Sequence, residues 1–361
     1  MTTHLARPPA RPRRLRRHLG AVAAGCALLL LTACGGTTGA ESTGGGGSGD
    51  AAAPLVYGIF ATPLEEPWDG AIHTALTKAA DEGKIRYKHV DNLKTSDSLE
   101  RSLRDVARTE KPAAIMGDAF AAEEAVRKVA AEFPTIPFVF GSGGKPVAPN
   151  MSVFDNWMQD PAYLAGMLAG GLTKTNTIGV VGAMPIPEVN RIVNAFVQGI
   201  KATNSQATVK VSFINTFFDP AAAKQSAQAQ IAAGADVLFA ERDGVIAAAK
   251  EANIPVVGMM TDQSADGPKH VATSLIWNVS PTVEAVIKQA TGGPEAVDLG
   301  KFSFMNVGGS ALAPLNTDVV GGIPDALAKQ VAAKEQEIKS GAFVTPVDES
   351  APAGSIVVAG E

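Results

Sequence analysis

From Pro54 onwards, short apolar runs alternate with amphipathic segments, and this alternation restricts the chain to few folds. Several runs are continuously aliphatic or β-branched, as in parallel strands that are buried on both faces. Strands that alternate with helices predict an α/β fold with parallel sheets. We predict strands at 55–60, 85–90, 113–117, 137–140, 178–182, 209–215, 237–240, 255–259, 271–275 and 302–306, and a short last strand at 355–358.

Helices are predicted between these strands. In the first of them, Ile72, Leu76 and Ala79 fall on one side. Four others begin near a proline, which costs no hydrogen bond in the first turn. The predicted helices are 67–82, 97–108, 119–132, 161–172, 187–203, 220–233, 281–291 and 324–340.

The strands form two sets, one before about residue 155 and one from 177, which predicts two Rossmann-like, doubly wound lobes joined by a hinge. We assign 54–155 and about 262–290 to the first lobe, and 156–261 and about 291–361 to the second. Ligands of such sheets bind outside the carboxyl ends of the strands. The cleft between the lobes is therefore the expected site, and hinge closure the expected motion.

The N-terminus has the layout of an export signal. Arginines at 7–17 precede an apolar run at 21–31, which is shorter than the about 20 residues of a membrane span. The sequence Leu31-Thr32-Ala33-Cys34 then resembles a lipobox. We predict a lipoprotein signal peptide at 1–33, acylation of Cys34, and a Gly/Ser-rich tether at 34–53. The alternatives are an ordinary signal peptide or a cytosolic start, and export by the Sec or the twin-arginine route stays open.

Charge and cysteine content narrow the function classes. Six of the 31 basic residues and none of the 36 acidic ones precede Cys34, so the rest of the chain has a net charge of −11. This disfavours nucleic acid and anionic membrane surfaces as partners. Because the two cysteines are Cys26 and Cys34, the exported domain forms no disulfide. We expect a monomer that is held at the outer face of the membrane only through its lipid.

Motifs for catalysis and metal binding are missing from the sequence. Three dispersed histidines follow the signal segment, which argues against a metal cluster. The segment 141–146 resembles a phosphate loop, but its first glycine and its last hydroxyl residue are absent, so we interpret it as a turn. We therefore predict no cofactor, no metal and no enzymatic activity.

Aromatic and acidic residues cluster after the predicted strands. Stacking rings combined with hydrogen-bonding carboxylates suit a flat heterocycle with N–H donors. Each carboxylate could instead cap the next helix, and each tryptophan could belong to the core. The candidate ligand-binding residues are Phe60, Trp68, Asp118, Trp157, Phe217, Asp243, Asp262 and Trp277.

The segment 178–199 and the motifs Asn215-Thr216-Phe217-Phe218-Asp219-Pro220 and Ile276-Trp277-Asn278 resemble the basic membrane lipoprotein family, most closely its purine-binding branch. The resemblance covers most of 55–290. It implies a type I periplasmic-binding fold and delivery of a purine base or nucleoside to an ABC permease. Two departures concern the ligand: His73 is one residue out of register, and a polar loop at 241–244 replaces a Gly-rich one.

Two other functions remain open at this stage. The same fold could serve a ligand sensor that signals to a membrane partner, which would need no permease. An enzyme such as a nucleoside hydrolase would need an acidic cluster with a metal or base, and the sequence shows no compact Asp-rich motif.

Overall fold

The computed structural model describes residues 52–120 and 122–358. The predicted signal peptide, the lipidation site Cys34 and most of the tether lie outside the described residues. The strands are β1 (Leu55–Ile59), β2 (Arg86–Val90), β3 (Ala114–Asp118), β4 (Phe138–Gly141), β5 (Met151–Phe154), β6 (Thr177–Gly182), β7 (Thr208–Phe213), β8 (Val237–Ala240), β9 (Val256–Gly258), β10 (Val271–Trp277), β11 (Ser310–Leu312) and β12 (Ile356–Val357).

The helices alternate with the strands over most of the chain. Prolines occupy the first turn of α5, α6 and α8, as predicted, and also that of α1, whereas the predicted Pro161 is the third residue of α4. The helices are α1 (Pro67–Asp81), α2 (Ser96–Thr109), α3 (Glu123–Glu132), α4 (Gln159–Leu172), α5 (Pro187–Thr203), α6 (Pro220–Ala232), α7 (Val245–Ala252), α8 (Ser280–Gly292) and α9 (Asp325–Ser340).

Two sheets organise the fold, and each forms one lobe with its helices. The first sheet has the order β2-β1-β3-β4-β5 and is parallel throughout. The second has the order β11-β10-β9-β8-β6-β7-β12, and the pair β10–β11 is antiparallel. Strand β6 is buried along most of its length, because helices cover both faces of a parallel sheet. The predicted α/β fold with two doubly wound lobes is confirmed.

The second crossing between the lobes differs from the predicted boundary. We expected the chain to return to the first lobe at about 262, but β10 pairs with β9 in the second sheet. The chain returns only after Trp277, and α8 packs against α1, β1 and β3. It then re-enters the second sheet with β11. Residue spacing alone does not show which sheet accepts a strand, so the prediction assigned β10 to the wrong lobe.

Some short elements also differ from the prediction. The expected strand at 302–306 consists of two 3₁₀ turns, Gly300–Ser303 and Met305–Val307. Strands β5 and β11 and helix α7 were not predicted. Each is short, and strands of three or four residues give no clear periodicity.

Helices α4 and α5 approach closely because glycines face each other at their contact. A β-carbon on Gly166 would lie 2.0 Å from the Phe196 carbonyl oxygen, and one on Gly199 would lie 1.9 Å from the Tyr163 carbonyl oxygen. We predict that Gly199→Ala lowers the free energy of unfolding by about 1–3 kcal/mol or more, since the backbones must separate. Urea denaturation measures this change.

Gly292→Ala is the control for this prediction. It lies at the end of α8, where an added β-carbon meets nothing within 4 Å. Equal stability of the two variants would contradict the proposed close approach.

Candidate functional site

A small cavity lies where the carboxyl ends of strands from both sheets meet. The turns after β1, β3 and β4 contribute from the first lobe, and the segments after β6 and β7 contribute from the second. Its volume is about 30 Å³, which is room for roughly two water molecules. The lining residues are Thr62, Glu66, Trp68, Asp118, Phe120, Ser142, Glu188 and Phe217.

A buried ion pair joins the lobes beside this cavity. Nη1 of Arg242, in the loop after β8, lies 3.2 Å from Oε1 of Glu66, in the loop after β1. The same guanidinium group donates to Glu241 at 2.9 Å and to the Phe217 carbonyl oxygen at 2.9 Å. Glu66 also caps α1, since its Oε2 accepts the backbone N–H groups of Trp68 and Asp69.

Aromatic rings from both lobes meet at the cavity. Phe120 of the first lobe contacts Phe217 of the second edge-to-face, with 4.7 Å between ring centroids. The Arg242 guanidinium lies over Phe217 at 5.5 Å from the ring centroid. A flat ligand that enters between the two phenyl rings would therefore stack on both lobes at once.

Trp68 forms one wall of the cavity and continues into an aromatic cluster. Its ring stacks on Phe154 at 5.8 Å and lies 5.0 Å from Trp277. Strand β4 ends in Gly141 because a β-carbon there would lie 2.0 Å from Cη2 of Trp68. The Trp68 Nε1 atom is buried without a partner among the described residues, so it is a free donor.

Carboxyl groups in and behind the cavity are forced towards their neutral form. Burial, reinforced by Asp155, raises the pKa of Glu188 to about 8. Burial together with Glu66 raises the pKa of Asp69 to about 7. The pKa of Asp118 is also raised well above its ordinary value, first by burial and then by Asp69.

Arg191 ties the first crossing between the lobes to the second lobe. Its guanidinium group lies 2.6 Å from Asp155 and 3.2 Å from Glu349. It also lies over the ring of Trp157, 4.1 Å from the centroid. The segment with Asp155 and Trp157, where the chain first passes between the lobes, is thus held by an ion pair and by stacking. Arg191 itself lies one helical turn after Glu188 in α5.

An open groove of about 560 Å³ runs along the other side of the turn before α1. Residues of this turn alternate between the two spaces: Glu66 and Trp68 line the cavity, whereas Glu65 and Pro67 line the groove. The second lobe contributes the loops after β8 and β9 to the groove. The cavity, and not the groove, combines stacked rings with buried, unpaired carboxyl groups.

The predicted site residues divide into three groups. Trp68, Asp118 and Phe217 line the cavity. Asp243 and Trp277 line the open groove. Phe60, Trp157 and Asp262 line neither: the first is buried in the core, the second stacks with Arg191, and the third accepts the Ser264 N–H within its own turn.

Sequence reasoning omitted some residues that line the cavity. Glu66 and Glu188 stand next to a proline at a helix start, where an acidic side chain usually stabilises the helix by interacting with its dipole. Phe120 and Ser142 follow strand ends, as the predicted residues do, and that position was the available signal.

Comparison with known proteins assigns the family. The model of the Bmp family, ABC transporter substrate-binding proteins described as PnrA-like, matches residues 61–347. The chain belongs to this family. Bmp-family proteins are binding proteins and not enzymes, which confirms the family resemblance and the predicted lack of catalysis.

Two relatives and one solved structure illustrate what this chain is similar to. This chain is 32% identical over 227 residues to a protein of Haloferax volcanii described as an ABC transporter glucose-binding protein, covering 61% of this chain and 57% of that one. It is 28% identical over 200 residues to a purine-binding protein of Brucella abortus, covering 55% and 57%. A solute-binding protein from Conexibacter woesei has the same fold, with a TM-score of 0.66, 22% identity and coverage of 82% and 99%.

Within 52–120 and 122–358, no group of three or more His, Cys, Asp or Glu side chains could hold a metal ion. Over the same ranges, no helix has the length and apolarity to cross a membrane.

The raised carboxyl pKa values predict a pH-dependent stability. The folded protein keeps protons on Asp69 and Glu188 up to about pH 7–8, whereas the unfolded chain loses them near the ordinary values of 3.8 and 4.5. In the ligand-free protein, the contribution of these two groups to the free energy of unfolding should therefore be largest below about pH 4. It should decrease as the pH rises to 8. Denaturation at a series of pH values measures this slope.

Glu188→Gln should flatten the slope, because glutamine does not titrate. Glu124 is the exposed second residue of α3, as Glu188 is the second residue of α5. Glu124→Gln should therefore leave the slope unchanged. A wild-type stability that rises from pH 5 to pH 8 would contradict the assignment.

Proposed function

We propose that this Bmp-family protein captures a purine-type heterocycle between its lobes and delivers it to an ABC permease. The observation that supports this most is the cavity itself, in which Phe120 and Phe217 meet from opposite lobes beside unpaired carboxyl groups. The similarity to the purine-binding protein of Brucella abortus points to the same ligand class.

Each wall of the cavity would contact a different part of such a ligand. The two phenyl rings would stack on its faces, and each stacked ring is worth about 1–3 kcal/mol by analogy with base–aromatic stacking. Asp118 and Glu188 would accept its N–H groups, and the Trp68 indole N–H would donate to a ring nitrogen. Asp243 and Trp277 would contact the ligand, if at all, from the open groove.

Binding requires the lobes to separate, because a cavity of about 30 Å³ is much smaller than a bicyclic ring. Opening would break the Arg242–Glu66 ion pair and part Phe120 from Phe217. Closure on the ligand would restore the ion pair and present one surface of both lobes to the permease.

The membrane attachment proposed from the sequence fits this role. Acylation of Cys34 and the tether would hold the domain as a monomer at the outer face of the cell membrane, free to reorient towards the permease. The alternative role as a sensor would use the same cavity without a permease.

We predict that the purified protein is stabilised by purine bases in a thermal-shift panel that also contains nucleosides, thiamine, flavins and sugars. A ligand present at about 100 times its Kd stabilises the folded state by about 2.7 kcal/mol, which is enough to raise the melting temperature clearly. A shift with glucose alone would instead favour the function described for the Haloferax volcanii relative.

Phe217→Ala should weaken binding of the active ligand by about 1–3 kcal/mol in calorimetry, because one stacking partner is lost. Phe218→Ala is the matched control, since the neighbouring ring is 40% exposed and does not line the cavity. Equal affinities of the two variants would refute the stacking role.

A further inference from the structure

Glu188 lines the cavity as a buried carboxyl group without a protein partner. Its side chain accepts no hydrogen bond and forms no ion pair with the described residues, and only 9% of the residue is exposed. It lies in the first turn of α5, where the helix dipole favours a negative charge. Asp118 lines the same cavity from the first lobe, and its one hydrogen bond comes from the Phe120 backbone N–H at 2.8 Å.

The charges around Glu188 do not balance. Each nearby guanidinium group is already shared: Arg191 between Asp155 and Glu349, and Arg242 between Glu66 and Glu241. Buried carboxylates without a cation are costly, so positive charge must come from protons or from a ligand. The charged and titratable groups around Glu188 are Glu66, Asp69, Asp118, Asp155, Arg191, Glu241 and Arg242.

We propose that Glu188 binds the amidine edge of the ligand, an amino group next to a basic ring nitrogen, with one proton shared between the carboxyl group and the ring. This inference rests on the proposed function and narrows it from purine-type heterocycles to amino-substituted, basic ones. The ligand amino group donates to one carboxyl oxygen. The O–H group of the other oxygen donates a hydrogen bond to the ring nitrogen. A stronger base, such as an amidine, takes the proton outright, so that an O–H bond is exchanged for an N–H bond and an ion pair forms.

A lactam edge forms a weaker pair with Glu188. In hypoxanthine a carbonyl group replaces the amino group, and its oxygen is too weakly basic to accept the proton. Its pair with Glu188 is therefore weaker, because the carboxyl O–H group donates to a carbonyl oxygen instead of a basic ring nitrogen, and a benzamidinium cation forms the stronger charge-assisted pair. Asp118, which lines the cavity from the other lobe, also favours an amidine over an amide, because a positively charged ligand would be attracted to it.

The ligand-free protein holds the required proton. Burial raises the pKa of Glu188 to about 8, so this carboxyl group is largely protonated at neutral pH. A neutral amidine can therefore bind without taking a proton from solution. A ligand that is already cationic must displace the proton of Glu188 into solution.

Calorimetry at pH 7 with two matched ligand pairs tests the inference: adenine against hypoxanthine, and benzamidine against benzamide. Within each pair an amidine is replaced by an amide of similar shape. We expect the amidine to bind about tenfold more tightly or better in each pair. Measured in buffers of different ionisation enthalpy, adenine should exchange almost no protons, and benzamidinium should release about one.

Glu188→Gln should lower adenine affinity about tenfold, remove the preference for adenine over hypoxanthine, and abolish proton release by benzamidinium. Glu124→Gln, which is exposed at the same helix position, should change none of these. The comparisons of ligands in the wild-type protein decide the question even if Glu188→Gln does not fold.

The outcomes separate the two proposals. Hypoxanthine binding as tightly as adenine, or benzamidinium binding without proton release, overturns the amidine inference and leaves the proposed function in place. No binding by any purine overturns the proposed function itself.

Discussion

The ion pair between Arg242 and Glu66 is the contact on which the arrangement of the site depends. It joins loops from the two lobes, and both side chains are almost fully buried. Glu66 also caps α1, so the same carboxylate sets the start of the helix that carries Trp68. Removal of one partner would leave a buried charge, which typically costs about 3–5 kcal/mol. The contact between the lobes, the first turn of α1 and the cavity wall are therefore coupled through one guanidinium group.

This coupling gives a physical account of the proposed ligand-driven closure. If the lobes separate as proposed, Arg242 and the cavity carboxyl groups would regain water, which would lower the cost of their charges. A ligand stabilises the closed form only through contacts that it makes in that form alone. Phe217 and Glu188 from one lobe, with Phe120 and Asp118 from the other, would provide such contacts, because they line one cavity when the lobes are together.

The sequence predicted the architecture better than the site. Continuous apolar runs such as β6 identified the parallel sheets, and strand ends led to Trp68, Asp118 and Phe217. The Arg242–Glu66 pair spans 176 positions, and no local pattern indicates such a contact. Glu188 was missed for a related reason: an acid after a helix-starting proline usually serves the dipole, and only the folded structure brings it to the other lobe's carboxyl groups.

The most direct test of the account is the distance between the lobes with and without ligand. The chain has no cysteine after Cys34, so spin labels at Arg101→Cys in α2 and Ala229→Cys in α6, both exposed, would report on the two lobes specifically. The account predicts a broad distance distribution for the free protein and a single narrow distribution with adenine. Identical distributions with and without a ligand that binds would show that the lobes do not close over it, and would contradict the account.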